Sequence, residues 1–535
     1  MEQEGITMAI NTYFLRYLVT TDHNMQASEE TINRLIANYD SHIKIHGYTI
    51  ESITVLYNTI KDSELADNDY LLKLKTLSEV ILTYSFAEIE LAAIMRANLK
   101  ERNDNFYRRT ILLQSFRIIS ESTKALFGFV NKDKKNAFWN KLTTLFDLSL
   151  FSQDIEEIKT GVDDLSKNVI NKINRDIASH YDWDALAVES SYISIKDEDL
   201  ICQNLSKYGY VIERVSKISN KLLGPFINSI NLPKHPSGSA VDRVIPSDLV
   251  WLFEKSILKP QLIEVIKTSY PDNTRQLNQA IALCHRLQEL TTLEEKFGII
   301  LKNNEVFLCY SKIMNSICLL LFMMNDALAA AVALVNSESF WESRMNLKRL
   351  DVSAYEALNK VVGFEENRMN ECFFHEIDQL IYELPTSLKD QFIILKKDTD
   401  LLVKKYGFDK SNQRNSFIHY RSGEKVWLLH SYNNLVAISI PNALYKIIEL
   451  RKLSTRIVQF TSLFSDSFGS LQEIKFKENV NQMFKPLRLV IDKSQNEETR
   501  EKAKKMLDDF QNKILNMGVA TKKQNIENNN RENII

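Results

Sequence analysis

Glycine and proline are scarce in this chain of 535 residues, which contains 13 glycines and nine prolines. Because these two residues are the main breakers of helices, and long stretches rich in Leu, Ile, Lys and Glu lie between them, the composition predicts a mostly helical protein. The hydrophobic fraction of 44% and the charged fraction of 25% are ordinary for soluble globular proteins. The length predicts roughly two to four domains.

Cysteine is also sparse and has no paired spacing. The five cysteines are Cys202, Cys284, Cys309, Cys318 and Cys372. No two of them form a CxxC pattern, so we expect neither a disulfide framework nor a zinc site built on paired cysteines. His42 and His46 are four residues apart, as zinc ligands on a helix can be, but no third ligand is evident from the sequence. We therefore predict no metal site and no cofactor.

One apolar run, over 313–335, is long enough to suggest a membrane span. Asn315, Asn325 and Asp326 interrupt it, and an ionisable residue near the middle of a bilayer is costly, so we expect a buried helix of a bundle and no membrane association. The N-terminal residues lack the basic and apolar regions of a signal peptide. Together with the unpaired cysteines, these features predict a cytoplasmic protein.

A seven-residue motif occurs twice in the chain. The two copies, RDIASHY and RNSFIHY, share an Arg, a following Asp or Asn, a His five positions after the Arg, and a Tyr after the His. Random placement of the arginines would give roughly 0.4 such Arg-to-His spacings in the whole chain. The residues concerned are Arg175, Asp176, His180 and Tyr181 in the first copy and Arg414, Asn415, His419 and Tyr420 in the second.

Short sequence echoes surround both copies in the same order, which indicates a diverged tandem duplication. The matched segments are 91–93 with 328–330, 105–107 with 339–341, 127–129 with 362–364, and 213–219 with 449–454. We predict an all-α fold of two homologous helical bundles that form a pseudo-two-fold pair within one chain. The predicted boundaries are a helical extension at 1–70, bundles at 71–223 and 248–464, a proline-rich linker at 224–247, a second helical extension at 465–517 and a disordered tail at 518–535.

Arginine and histidine together suit phosphate chemistry. The guanidinium group donates two hydrogen bonds to phosphate oxygens and keeps its charge, and the imidazole exchanges a proton near neutral pH. A spacing of five places the two side chains about 140° apart on an ideal helix. Either the long Arg side chain reaches round the helix, or the motif straddles a helix start with Asp176 or Asn415 as the N-cap. The sequence leaves both arrangements open.

With Asn or Asp after the Arg, and in a helical context, this Arg-x4-His pattern resembles the motif of the HEPN superfamily of nucleases. The resemblance covers the seven residues of each copy and implies bundles of four or five helices whose two motifs face a shared cleft. It also implies metal-independent endoribonuclease activity, often in a toxin or an antiviral effector. The catalytic roles carry over to Arg175, His180, Arg414 and His419, and supporting roles to Asp176 and Asn415.

RNA is the favoured substrate because its 2′-OH can attack the adjacent phosphate without a metal. The window 396–425 contains eight basic and four acidic residues, whereas 157–186 contains four basic and six acidic residues. The expected RNA-binding residues are Lys404, Lys405, Lys410, Arg421 and Lys425. Tyr181 and Tyr420 either stack on a base or pack in the bundle. A nuclease must be controlled in its host, so we expect an inhibitor or an activating partner. The alternative is an inactive helical scaffold that binds RNA or a protein.

Overall fold

The computed structural model describes eleven segments of the chain, and every one of them is built on α-helices. The described residues are 29–62, 68–100, 105–128, 137–169, 184–194, 198–229, 246–297, 305–364, 372–380, 385–407 and 428–509. No β-strand occurs within these ranges. The all-α prediction is therefore confirmed.

We number the helices of the described residues in chain order. They are α1 (Glu29–Lys61), α2 (Asn68–Lys100), α3 (Asn105–Phe127), α4 (Phe138–Leu145), α5 (Ser152–Asp164), α6 (Ala185–Ser194), α7 (Glu198–Ser229), α8 (Pro246–Ser256), α9 (Pro260–Phe297), α10 (Glu305–Val335), α11 (Phe340–Val362), α12 (Phe373–Leu380), α13 (Thr386–Tyr406), α14 (Leu428–Val436) and α15 (Ile440–Lys493). A 3₁₀ turn leads into α5 and a π turn follows it. A further helical stretch covers 497–509.

The ends of α3 and α11 follow from local chemistry. Ser339 begins α11 as its N-cap, and its side-chain oxygen accepts a hydrogen bond from the Glu342 backbone N–H at 3.2 Å. Gly128 and Gly363 follow the last residues of α3 and α11 with φ angles of 71° and 74°. This left-handed conformation ends a helix and is open to glycine at little cost. The glycines that close these two echoed segments therefore have the same role.

Helix α1 is continuous, whereas polar residues in the sequence predict two helices separated near Asp40 and Gly47. Asp40 forms an ion pair with buried Arg96 of α2, and Gly47 lies against the Trp341 ring of α11. Each apparent breaker therefore has a tertiary partner, and tertiary packing overrides the local preference. Helices α7 and α9 likewise continue through Pro225 and Pro271.

Helix α10 is the apolar run of the sequence, and it lies in the protein core. Its segment Leu308–Val335 is long and apolar enough to cross a membrane by length and composition, and it is the one such helix among the described residues. The apolar window is 100% buried inside the protein. Burial of this kind is typical of a core helix of a soluble protein.

Packing divides the chain into two compact units. The first comprises Met1–Arg286, Tyr310–Gln379 and Ile394–Ile457, and the second comprises Leu287–Cys309, Leu380–Ile393 and Val458–Ile535. All the contacts discussed below join residues of the first unit. The predicted domain boundaries stay a prediction.

Four described helices before α8 have counterparts of similar length after it, in the same chain order, whereas α5 and α13 differ (13 and 21 residues), as do α7 and α15 (32 and 54 residues). Helix α2 has 33 residues and α10 has 31, while α3 and α11 have 23 each. The next pair, α4 and α12, have eight residues each, and α6 and α14 have 10 and nine. The first copy of the Arg/His motif precedes α6, and the second precedes α14.

Candidate functional site

Both copies of the Arg/His motif lie outside the described residues, in the segments 170–183 and 408–427. The predicted site residues in these segments are Arg175, Asp176, His180, Tyr181, Lys410, Arg414, Asn415, His419, Tyr420, Arg421 and Lys425. Lys404 and Lys405 are described, and both are exposed in the last turn of α13. The described helices nearest to the motifs in the chain are α5 and α6 for the first copy and α13 and α14 for the second.

The helix that follows the first motif is fixed at its N-terminus. Asp184 accepts a hydrogen bond from the Leu186 backbone N–H at 2.9 Å, which caps the first turn of α6. The backbone N–H of Ala185, the first residue of α6, donates a hydrogen bond to the Asn315 side-chain oxygen of α10 at 2.8 Å. Ala185 is fully buried, and α6 also packs on α3. The start of α6 is thus held by α10, and the helix as a whole also contacts α3.

The side-chain oxygen of Asn325, the second asparagine in the apolar run, also has hydrogen-bond partners. The Asn325 side-chain oxygen accepts hydrogen bonds from Thr274 at 2.8 Å and from Asn273 at 3.3 Å, both of α9. Asn273 also donates to the Leu321 carbonyl at 2.9 Å. Polar groups in an apolar core are stable only when they are hydrogen-bonded. Asn315 and Asn325, which interrupt the apolar run, therefore anchor α6 and α9 to α10.

The helix that follows the second motif also contacts both halves of the chain. Helix α14 packs against α2 and α11, and its residues Leu429 and Leu435 are buried. Before the motif, α13 ends at Tyr406, and Gly407 has a φ of 64° that ends the helix. The second motif segment therefore begins after a glycine-terminated helix and ends on a helix that packs on α2.

Ion pairs link the helix before each motif to the long helix after it. In the first half, Arg214 of α7 binds Glu157 of α5, and Lys217 binds Asp154 at 3.0 Å. In the second half, Arg456 of α15 binds Asp398 of α13 at 2.8 Å. In chain order, each motif segment therefore lies between two described helices that ion pairs join.

One aromatic residue near the start of α3 and one near the start of α11 hold the helices of opposite halves together. The Tyr107 hydroxyl donates to the Ala329 carbonyl of α10 at 3.3 Å, and its ring packs edge-on against Tyr270 of α9 at 5.5 Å. Trp341 packs against Phe86 of α2 at 6.1 Å and donates to Glu51 of α1 at 3.3 Å. Tyr107 therefore contacts α9 and α10, and Trp341 contacts α1 and α2.

Buried charges join α2, α3 and α11. Lys348 of α11 forms an ion pair with Glu90 of α2, and Arg117 of α3 lies 3.6 Å from the same carboxylate. The three side chains are at most 8% exposed. Burial lowers the pKa of Lys348, although Glu90 opposes that shift. Because unpaired charges at this depth would be very costly, the three groups fix the register of the three helices.

The residues with the arrangement of metal ligands are His42, His46 and Glu88. Their ligand atoms all lie within 4.8 Å of one another, and His42 Nε2 is 2.7 Å from a Glu88 oxygen. Burial, with His42 nearby, holds the pKa of His46 well below its usual value, so its imidazole is neutral. The spacing of the two histidines was visible in the sequence, but Glu88 was missed because it lies on the next helix, 46 positions from His42.

No protein-family model, curated protein or solved structure matches this chain. The HEPN resemblance therefore depends on the motif residues and on the order of the helices around them.

Proposed function

We propose that this protein is a HEPN-like, metal-independent endoribonuclease with one composite site, formed by Arg175, His180, Arg414 and His419. The observation that carries the proposal is the double occurrence of the Arg-x4-His motif, with a short helix of ten residues beginning four positions after the first copy and one of nine residues beginning eight positions after the second. Asp176 and Asn415 would support the site, by capping a helix or by orienting the Arg side chains.

Contacts between the halves support a pseudo-two-fold arrangement. Helix α6 contacts α3 of its own half and α10 of the other, while α14 contacts α11 of its own half and α2 of the other. If α2 corresponds to α10 and α3 to α11, these are the same two contacts with the halves exchanged. Tyr107 of α3 contacts α9 and α10, and Trp341 of α11 contacts α1 and α2, so each aromatic residue contacts two helices of the other half. An isologous pair of bundles produces this pattern, and it would bring equivalent segments towards a common axis.

The reaction would proceed without a metal. One histidine removes the proton of the ribose 2′-OH, whose oxygen attacks the adjacent phosphorus, while the other histidine protonates the departing 5′ oxygen. The products are a 2′,3′-cyclic phosphate and a 5′-hydroxyl end. Both arginines bind the phosphate oxygens and stabilise the charge of the phosphorane.

Recognition of the RNA would depend on the second half. Lys404 and Lys405 are exposed at the end of α13, and Lys410, Arg421 and Lys425 follow in the next segment of the chain. Cationic side chains attract the phosphate backbone of RNA. Tyr181 and Tyr420 would stack on bases or pack in the bundle. The role that we propose is that of a cytoplasmic toxin or antiviral effector. Its nuclease activity would be blocked by an inhibitor or switched on by an activating partner.

The test is RNA cleavage by purified protein in the presence of excess EDTA, with analysis of the product ends. We expect 2′,3′-cyclic phosphate or 3′-phosphate ends, and loss of at least about 100-fold in rate when both His180 and His419 are replaced by Ala. His375→Ala is the matched control, because this partly exposed histidine contacts Gln379 on its own helix. Undiminished cleavage by the folded double variant would overturn the assignment, and a total lack of cleavage by the wild type would favour an inactive scaffold.

A further inference from the structure

We propose that His42, His46 and Glu88 form a zinc site that fastens α1 to α2. This inference is independent of the ribonuclease proposal, because the three residues lie on helices α1 and α2, apart in sequence from both Arg/His motifs. The combination of two imidazoles and one carboxylate is a ligand set that zinc commonly takes in proteins.

The geometry of the backbone suits a shared ion. His42 and His46 are four residues apart on α1, so both side chains lie on one face of the helix, and their ring centroids are 4.5 Å apart at an angle of 62°. Glu88 reaches them from α2. Tetrahedral zinc with bonds of about 2.0–2.1 Å needs ligand atoms about 3.3 Å from one another. The His42–Glu88 separation of 2.7 Å is close to that value and opens to it with a small side-chain rotation.

A supporting hydroxyl group and an entry path are both present. The Ser85 hydroxyl, one helical turn before Glu88 on α2, lies 3.4 Å from His46 Nδ1 and can orient that ring or a zinc-bound water. The side chains of His42 and Glu88 are 22% and 16% exposed, so an ion can reach the site. Magnesium and calcium are poor candidates because they prefer ligand sets made of oxygen alone.

The pair formed by His285 and Glu189 provides an internal comparison. These two side chains also bind each other across two helices, yet among the described residues they belong to no group of three metal ligands. If a single His–Glu pair were enough to bind zinc, substitutions in either pair would weaken zinc binding equally. If the third ligand matters, only the cluster of His42, His46 and Glu88 will respond.

The experiment uses the full chain, free of any purification tag and dialysed against EDTA. Calorimetric titration with Zn²⁺ should give one site per chain, and the melting temperature should rise with zinc concentration until that site is saturated. Glu88→Gln and His42→Asn should each weaken zinc binding by more than the 10–100-fold that typically follows loss of an outer-shell partner. His285→Asn should bind zinc like the wild type.

Cobalt identifies the ligands. Co²⁺ bound at this site should show the weak visible absorption of nitrogen and oxygen ligands, without the intense thiolate-to-metal band that a cysteine site would give. Unchanged zinc binding in both Glu88→Gln and His42→Asn would overturn the proposal, as would a thiolate band or the absence of a stoichiometric site in the wild type. Circular dichroism of each metal-free variant establishes that it is folded, and because His42 is slightly more exposed than Glu88 (22% against 16%), its variant is the safer of the two.

Discussion

The replacement of Gly47 by alanine tests the close packing of α1 on α11. A methyl group at this position would lie 2.2 Å from Trp341 Cδ1 and 2.6 Å from its Nε1, whereas carbon atoms pack at about 3.5–4.0 Å. The Trp341 ring is fully buried, so it must move by about 1 Å and weaken its hydrogen bond to Glu51. Overpacking costs about 1–3 kcal/mol, and the bond to a charged group contributes about 1.5–3 kcal/mol. Alanine returns only about 1 kcal/mol through helix propensity.

We therefore expect Gly47→Ala to lower the free energy of unfolding by about 3 kcal/mol. The matched control is Gly224→Ala in α7, where no atom lies within 4 Å of the added methyl group; that change should stabilise the protein by about 0.5–1 kcal/mol. The assay is urea denaturation followed by circular dichroism. Equal or greater stability of Gly47→Ala relative to Gly224→Ala would refute the packing of α1 against Trp341.

Two further predictions concern buried charges. Burial raises the pKa of Glu79 to about 7, against the opposing charges of Lys75 and Lys141. Because a raised carboxyl pKa costs stability once the pH exceeds the unfolded value of 4.5, the wild type should gain about 3 kcal/mol relative to Glu79→Gln as the pH falls from about 8 to 4.5, measured by urea titrations at each pH. A constant difference across that range would contradict the prediction. Lys348→Met should lower the free energy of unfolding by about 3–5 kcal/mol because it removes a partner of buried Glu90. The double variant Glu90→Gln, Lys348→Met should lose less than the sum of the two single losses, because the two side chains interact; additive losses would mean that the ion pair does not set the cost.

The local elements of the fold were predictable from the sequence. The sequence pattern predicts a helix from about Asn105 to Phe127 and helix ends at Gly128 and Gly363, and the observed bounds of α3 agree with it. The glycines at 128 and 363 end α3 and α11 as expected, because a left-handed residue after a helix is a short-range requirement. The apolar run of α10 was also predicted as a buried helix, because ionisable Asp326 near its middle would be costly in a bilayer, and its apolar window is buried.

The contacts between side chains that are distant in the sequence were not predictable, because no local sequence pattern indicates them. In the sequence, Asp40 interrupts the amphipathic pattern of α1 and suggests a helix end; only the structure shows that it pairs with Arg96. Glu88 is one acidic residue among many until α2 places it beside His42. Residues such as Lys348 and Glu90 are 258 positions apart, and a single sequence contains no record of that contact. The catalytic role of the two Arg/His motifs stays a prediction from the sequence.

The rate of RNA cleavage by His180→Ala, His419→Ala and the double variant tests the central claim most directly. If both motifs build one composite site, each single change should lower the rate by about 10²–10⁴-fold, and the double variant should be scarcely slower than the slower single, because the groups act as a unit. Single variants that each keep about half of the wild-type rate, with loss only in the double variant, would contradict the composite site and show two independent ones.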